Sequence, residues 1–459
     1  MNILDTIAAV STPFGKGGIA VIRISGRDAL NVASKIFKPA KPISLTEAEA
    51  DRAYYGGIYL AGEQIDDGIA VCFKAPRSFT GEDTVEISCH GGILITQRVL
   101  IAALVAGARA AEAGEFTRRA FINGKMKLSG AEALGDLLEA QTNEQISLAR
   151  SSMRGALSDR VQSIYDELCG VLAAVFAKID YPDEDLADMT LSQMLIHTEK
   201  CIKDLSALCD TYKTGRAVAQ GIPTVIAGRT NAGKSSLYNA LVGRDAAIVT
   251  DIEGTTRDIL TDTAMLGRVL LRLSDTAGLR STTDTVEKIG IDRAKKSIEE
   301  AELVLAVLDG SQKPTDEDVG FIKYLKELDA TIICVLNKSD KGTDPDASAL
   351  AQTLDFVVSI SAKDGAGIDS LVSLAESLFI DGSLDTSRDA VISNSRQHSA
   401  ATRALMSLIS AREYISDELP LEICASELEA AMQCLGELDG KTVSEDIVAK
   451  IFSSFCVGK

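Results

Sequence analysis

Over the first ~120 residues, short β-branched apolar runs bounded by Gly, Pro and Asp alternate with stretches of helical spacing. The runs at 19–25, 65–73 and 84–92 predict strands, and 28–37 and 93–108 predict helices. Together they predict an α+β amino-terminal domain over 1–118. From about residue 116 to 215 the apolar period becomes 3.6 with few breakers, which predicts several helices. The segment YPDEDLADM (181–189) interrupts them as a Pro-containing acidic surface stretch, and a further helix is expected through about Thr211. Helical spacing returns at 394–419 and 421–435 and in the terminal SEDIVAKIFSSF. The expected architecture is therefore multidomain. An α/β domain (216–381) is inserted into an all-α helical domain built from two chain segments (119–215 and 382–459), and the insertion requires its two ends to lie close together.

Within the insertion, IPTVIAGRTNAGKSSLYNAL (222–241) reads as a buried strand, a G-x-x-x-x-G-K-S loop from Gly228 to Ser235, and a helix. Gly228 and Gly233 let backbone N–H groups turn toward phosphates, and the helix start adds its positive dipole end. Lys234 would reach the β/γ-phosphates and the Ser235 hydroxyl would ligate Mg²⁺. TDIEGTTRD (250–258) follows as a switch loop in which Thr255 or Thr256 can complete Mg²⁺ coordination. A hairpin leads to DTAG, where Asp275 would hold Mg²⁺ through water and Gly278 could offer its N–H to the γ-phosphate. Strand-like 302–310 and 331–340 come next, the second ending in N-K-x-D. The Asp340 carboxylate can accept from N1–H and the 2-amino group of guanine, a pattern that adenine lacks. SISAKDG (359–365) places a backbone N–H near Ala362 for the guanine carbonyl. These signals define a Ras-like P-loop GTPase domain. The position after D-x-x-G is Leu279, which cannot orient water; Glu287 and Arg257 are the alternatives.

Composition narrows the picture. A chain of 459 residues, 46% apolar, can build about three domains, and its net charge of −19 argues against a broadly basic nucleic-acid coat. Aromatics are only 5% with no Trp, so a base-stacking platform has little material. Nine scattered cysteines and three histidines offer no zinc spacing and read mostly as buried small hydrophobes in a reducing compartment. The start lacks a signal-peptide pattern and no apolar run approaches ~18 residues, so a cytoplasmic protein without membrane spans is expected. Arg23 and Glu86, each on a strand amid apolar neighbours, read either as a structural salt bridge or as a ligand site. His90, beside Cys89, reads as a turn histidine.

GRTNAGKSSLYNAL, TDIEGTTRD, DTAGLR and NKSD, with GGIAVIRISG, SFTGEDTVEISCHGG, GEFTRRAFING and the terminal FCVGK, resemble the MnmE (TrmE) family of tRNA-modification GTPases across essentially the whole chain. The tail and the amino-terminal motifs separate it from the ribosome-assembly GTPases Era and Der, whose scaffold role is the alternative. The resemblance implies GTP/GDP contacts from Asn231, Ala232, Gly233, Lys234, Ser235, Ser236, Thr250, Thr256, Asp275, Thr276, Ala277, Gly278, Asn337, Lys338, Asp340, Ser361, Ala362 and Lys363. It implies Mg²⁺ on Ser235 and Thr256, and K⁺ on Asn231 with oxygens around Thr250, Ile252 and Thr255. Glu287 matches the water-orienting glutamate and Arg257 the switch arginine. Arg23, Glu86, Lys125 and Lys459 match positions that contact a tetrahydrofolate derivative (5-formyl or methylene form). Cys456 matches a cysteine important for tRNA modification. The implied partners are tRNA and the flavoprotein MnmG (GidA), with a homodimer whose G domains pair, a heterotetramer with MnmG, and a C5 aminomethyl or carboxymethylaminomethyl product on wobble uridine.

Overall fold

The computed structural model describes residues 5–181, 189–242, 262–274, 296–453 and 455–458. Contacts divide the chain into two compact units, Met1–Gly135 with Met153–Tyr165 and Glu429–Lys459, and Asp136–Ser152 with Asp166–Leu428. The helices are shared between the two. Among the described residues no helix is long and apolar enough to cross a membrane.

In the first unit β1 (Ile7–Val10), β2 (Ile19–Ser25), β3 (Phe37–Pro39), β4 (Ala53–Leu60), β5 (Glu63–Phe73), β6 (Thr84–His90) and β7 (Arg109–Ala110) form one sheet, ordered β3-β4-β5-β6-β2-β1-β7. Neighbours run antiparallel except β1 and β7. Strand alternation assigns the faces. Ala20, Ile22 and Ile24 of β2 and Val85, Ile87 and Cys89 of β6 bury one face together with α1 (Ala29–Ile36) and α2 (Ile93–Val105). The intervening Arg23 and Glu86 lie directly opposite each other and belong to the other face. There Ile7, Ala9, Ala111 and Phe116, with Phe79, make a smaller core around the start of α3 (Glu115–Ile122).

The apolar pattern found β2, β5, β6 and both helices but missed β1, β3, β4 and β7. Phe37, read as a helix end, opens β3 instead. A Cβ on Gly56 of β4 would lie 2.2 Å from the Lys38 carbonyl oxygen, so the glycine that breaks the strand signal is what lets β3 pair there.

Beside that second face lies a charged cluster the sequence pattern did not reveal. Arg119, its side chain 3% exposed, donates from Nη2 to Asp5 (2.6 Å) and Glu115 (3.0 Å) and from Nη1 to Glu82 (3.2 Å) and the Asp5 carbonyl (2.8 Å). Arg109 adds bonds to Glu115 and Asp5, each 2.7 Å. The carboxyl-terminal tail docks nearby. Val457 bridges to Ala113, and Ser11 Oγ donates to the Gly458 carbonyl at 3.1 Å. Gly458 sits at φ 99°, and a Cβ there would meet the Val10 carbonyl oxygen at 2.1 Å.

The second unit carries β8 (Ile222–Ala227), β9 (Asp262–Leu266), β10 (Val269–Leu273), β11 (Leu303–Asp309), β12 (Thr331–Asn337) and β13 (Phe356–Ser359), ordered β13-β12-β11-β8-β10-β9. Only β9 runs antiparallel, through the expected hairpin with β10. Both faces are covered, which explains the uninterrupted apolar run in β11. Leu303, Leu305 and Val307 pack with helices Lys234–Val242 and Ile368–Phe379, while Val304, Ala306 and Leu308 pack with Asp316–Leu325 and Pro345–Ala351.

Because Arg119 pairs with three carboxylates in a buried setting, Arg119→Ala should destabilise the first unit by about 3–5 kcal/mol. Burial raises the Asp5 and Glu115 carboxyls, but the Arg109 and Arg119 guanidiniums, together with the Glu112 N–H on Glu115, hold both below the usual range. Their stabilisation is thus complete above the unfolded carboxylate values, roughly pH 4, and is lost as pH falls through the folded ones. Urea unfolding from pH 7 to 2 should show this acid loss in the wild type and a flatter profile in the variant.

Candidate nucleotide-binding site

The second sheet brings those predicted nucleotide residues that are described together at the carboxyl ends of β8, β12 and β13, where ligands of open parallel sheets bind. β8 runs into Gly228 at φ 147°, where a Cβ would meet the Val307 carbonyl oxygen at 2.2 Å. The loop then turns through Asn231 (φ 66°) and Gly233 (φ 103°) into helix Lys234–Val242. Lys234 Nζ donates to the carbonyls of Gly228 (2.7 Å) and Arg229 (2.9 Å), and burial lowers its pKa. Ser235 and Ser236 are exposed on the first helical turn.

Asn337, 2% exposed, ties the motifs together. Its Nδ2 donates to the Ala232 carbonyl at 3.0 Å. Its Oδ1 accepts the N–H of Lys338 at 2.8 Å and of Ala362 at 3.0 Å. The Ala362 N–H, expected to meet a guanine carbonyl, is therefore engaged by Asn337. Lys338, at φ 67°, sends Nζ to the Asn231 carbonyl (2.8 Å) and to Asp309 (2.6 Å). Burial raises Asp309, but Lys338 and Ser311 bring it below the carboxylate range. Asp309 was not singled out in the sequence; its position at the end of β11 was the available signal. Asp340 accepts from Ser361 Oγ at 3.2 Å, and Lys363 is exposed. Thr250, Ile252, Thr255, Thr256, Arg257, Asp275, Thr276, Ala277, Gly278, Glu287 and Lys459 lie outside the described residues, as does most of the acidic segment.

In the first unit Arg23 and Glu86 form an ion pair. Arg23 Nε and Nη2 both reach Glu86 Oε1 at 2.8 Å, so Oε2 stays outside the pair, and the guanidinium lies 5.3 Å from the Phe79 ring centroid and 5.6 Å from that of Phe116. Lys125 donates to the Pro76 carbonyl at 2.9 Å. Cys456 is exposed, its carbonyl accepting from the Gly114 N–H at 3.4 Å. By contrast, burial pushes Cys72, Cys89 and Cys424 up to about 11 and Cys201 and Cys334 to about 12, as inert small hydrophobes. His90 closes β6 and is not in a turn. It pairs with Asp66 at 2.7 Å, which raises its pKa.

The strand order, the loop wrapped against β11 and the Asn337-linked base motif define a P-loop GTP-binding domain carried on a larger chain. Two family models match, "MnmE helical domain" over residues 128–456 and "GTP-binding protein TrmE N-terminus" over 6–125. The tRNA modification GTPase MnmE of Clostridioides difficile (strain 630) is 38% identical, covering 100% of both chains. That of Bacillus velezensis is 40% identical over 99% of this chain and 100% of its own. A solved probable GTP-binding protein, engB, covers 34% of this chain and 97% of its own at 20% identity and a TM-score of 0.23, too distant to bear on function. The chain belongs to the MnmE family of tRNA modification GTPases, and it is a GTP hydrolase.

A methyl group at Gly233 would sit 2.0 Å from Asn337 Nδ2. Gly233→Ala should therefore break the Ala232–Asn337 tie and weaken GDP at least ~10-fold, since a buried amide is left without its partner; titration with a fluorescent GDP analogue measures it.

Proposed function

We propose that this protein couples GTP hydrolysis to modification of the wobble uridine of certain tRNAs at C5, in the cytoplasm and together with the flavoprotein MnmG. The observation that carries the reading is the Asn337 tie, because it unites a phosphate loop with a guanine-selecting motif in a chain of this family. Asp340 accepts from guanine N1–H and the 2-amino group. Lys234 exchanges the Gly228 and Arg229 carbonyls for β/γ-phosphate oxygens, and burial strengthens that attraction. Ser235, exposed at the helix start, fits Mg²⁺ together with Thr256, and the ion would neutralise phosphate charge. Asn231 fits K⁺ together with Thr250, Ile252 and Thr255, a fixed cation suited to charge building up at the β/γ bridge. Glu287 would orient the attacking water, and Arg257 would act as the arginine of the first switch.

In the first unit, Glu86 Oε2, Arg23 and the Phe79 and Phe116 rings fit a tetrahydrofolate derivative, a carboxylate suiting the pterin's guanidine-like edge. Lys125 and Lys459 suit its glutamate tail, and the cofactor would supply the one-carbon unit. Cys456, on the docked tail, serves the tRNA chemistry. Helix α2 exposes Ile93, Leu94, Ile101 and Val105, up to 73%, which supports a homodimer through this unit; a heterotetramer with MnmG would be built on that dimer.

Steady-state hydrolysis in KCl against NaCl at matched ionic strength tests the cation reading: K⁺ should accelerate turnover, and Asn231→Ala should remove the difference. Equal rates in both salts would overturn it. Arg23→Ala should weaken 5-formyltetrahydrofolate at least ~10-fold by calorimetry while leaving GTP affinity unchanged, because the two sites use different residues.

A further inference from the structure

Arg229, the second residue of the phosphate loop, is held at both ends of its structure. Its backbone carbonyl accepts from Lys234 Nζ at 2.9 Å and from the Ala232 N–H at 3.2 Å. Its guanidinium reaches Thr315 Oγ1 at 3.1 Å and Asp318 Oδ2 at 3.7 Å.

The anchor is itself built. Thr315 caps helix Asp316–Leu325 in a reciprocal capping box. The Asp318 N–H reaches Thr315 Oγ1 at 3.4 Å, and Asp318 Oδ2 accepts the Thr315 N–H at 2.9 Å and its hydroxyl at 2.7 Å. The Thr315 oxygen can therefore accept from Arg229 while its own proton is already committed, so the anchor does not rotate away. Asp318 is 13% exposed and Arg229 34% exposed, so the contact is only partly screened by solvent. Two residues further on, Lys338 Nζ holds the Asn231 carbonyl. The loop is thus gripped at residue 229 from one helix and at 231 from Lys338, just after β12.

We infer that Arg229 is a positioning residue for the nucleotide, setting the first half of the phosphate loop by fastening it to the capped start of helix Asp316–Leu325. The inference rests on the phosphate-loop reading above. A pre-formed loop favours GTP and GDP equally, because both place the same α- and β-phosphates against it, so the effect falls on binding and not on the chemical step.

The test uses the full chain, with fluorescent GDP and GTP analogues for affinity and steady-state hydrolysis for kcat and KM. Arg229→Ala should weaken both nucleotides about five- to tenfold and raise KM, with kcat within about twofold, as loss of a charge-assisted hydrogen bond predicts. Asp318→Asn should reproduce part of this, Arg229→Lys should recover part, and the Arg229→Ala/Asp318→Asn double variant should be no weaker than Arg229→Ala alone. Unchanged affinity in a normally melting Arg229→Ala protein, or effects of the two substitutions that multiply, would overturn the inference. If Arg229→Ala does not fold, Asp318→Asn and Arg229→Lys decide alone, with wild-type affinity in both counting against it. Lys234→Ala separates the underlying reading: near-complete loss of binding supports the loop as the phosphate site, and wild-type affinity would remove that reading whatever Arg229 does.

Discussion

One buried amide holds the nucleotide domain's working end together. Asn337 spends its donor on Ala232 and its acceptor on Lys338 and Ala362, joining segments 105 and 25 positions away in the chain. Each bond left unmade in that setting would cost about 1–3 kcal/mol, so the three loops are positioned by one side chain and not by independent local preferences. The same demand dictates Gly233, because any Cβ would occupy the space of the amide nitrogen. Phosphate loop and base-selecting motif are therefore one construction.

Much of this was legible without coordinates. The strands β8, β11 and β12 announced themselves as apolar runs because both faces of a parallel sheet are covered, and Gly228 and Lys234 stood where a strand–loop–helix requires them. What stayed hidden was contact between distant positions. Arg23 and Glu86 were each visible as charges among apolar neighbours, yet only the β2–β6 register shows them opposed. Arg119 lay within an otherwise helical stretch, and nothing local says that Asp5 and Glu82 would converge on it. Short strands failed for a different reason: β3 and β7 have 3 and 2 residues, too few to show alternation.

Lys234 illustrates how the site balances its charge. A buried ammonium is disfavoured by desolvation, which here lowers its pKa although two loop carbonyls accept its hydrogen bonds. Those carbonyls are a weaker match than phosphate, so the lysine is stabilised enough to keep the loop folded but remains better satisfied by an anion. Lys338 differs, since its ammonium meets a full carboxylate in Asp309 and is already neutralised. Of the two ammonium groups, the one held only by carbonyls is open to an anion, and the one paired with Asp309 positions Asn231.

The tail extends the same logic to the first unit. Gly114 and Gly458 each approach backbone more closely than any side chain allows, the first against Phe452 and the second against Val10. Between these two contacts the chain runs through Cys456 and Val457, so the exposed thiol is carried on a segment gripped at both sides. Gly114 opens α3, whose Phe116 ring stacks near Arg23. A displacement of the tail would be felt at the start of α3 through packed backbone, and the Phe116 ring joins α3 to the Arg23–Glu86 pair. The glycine of the terminal Cys-x-Gly-Lys thus has a packing reason, its close approach to Val10.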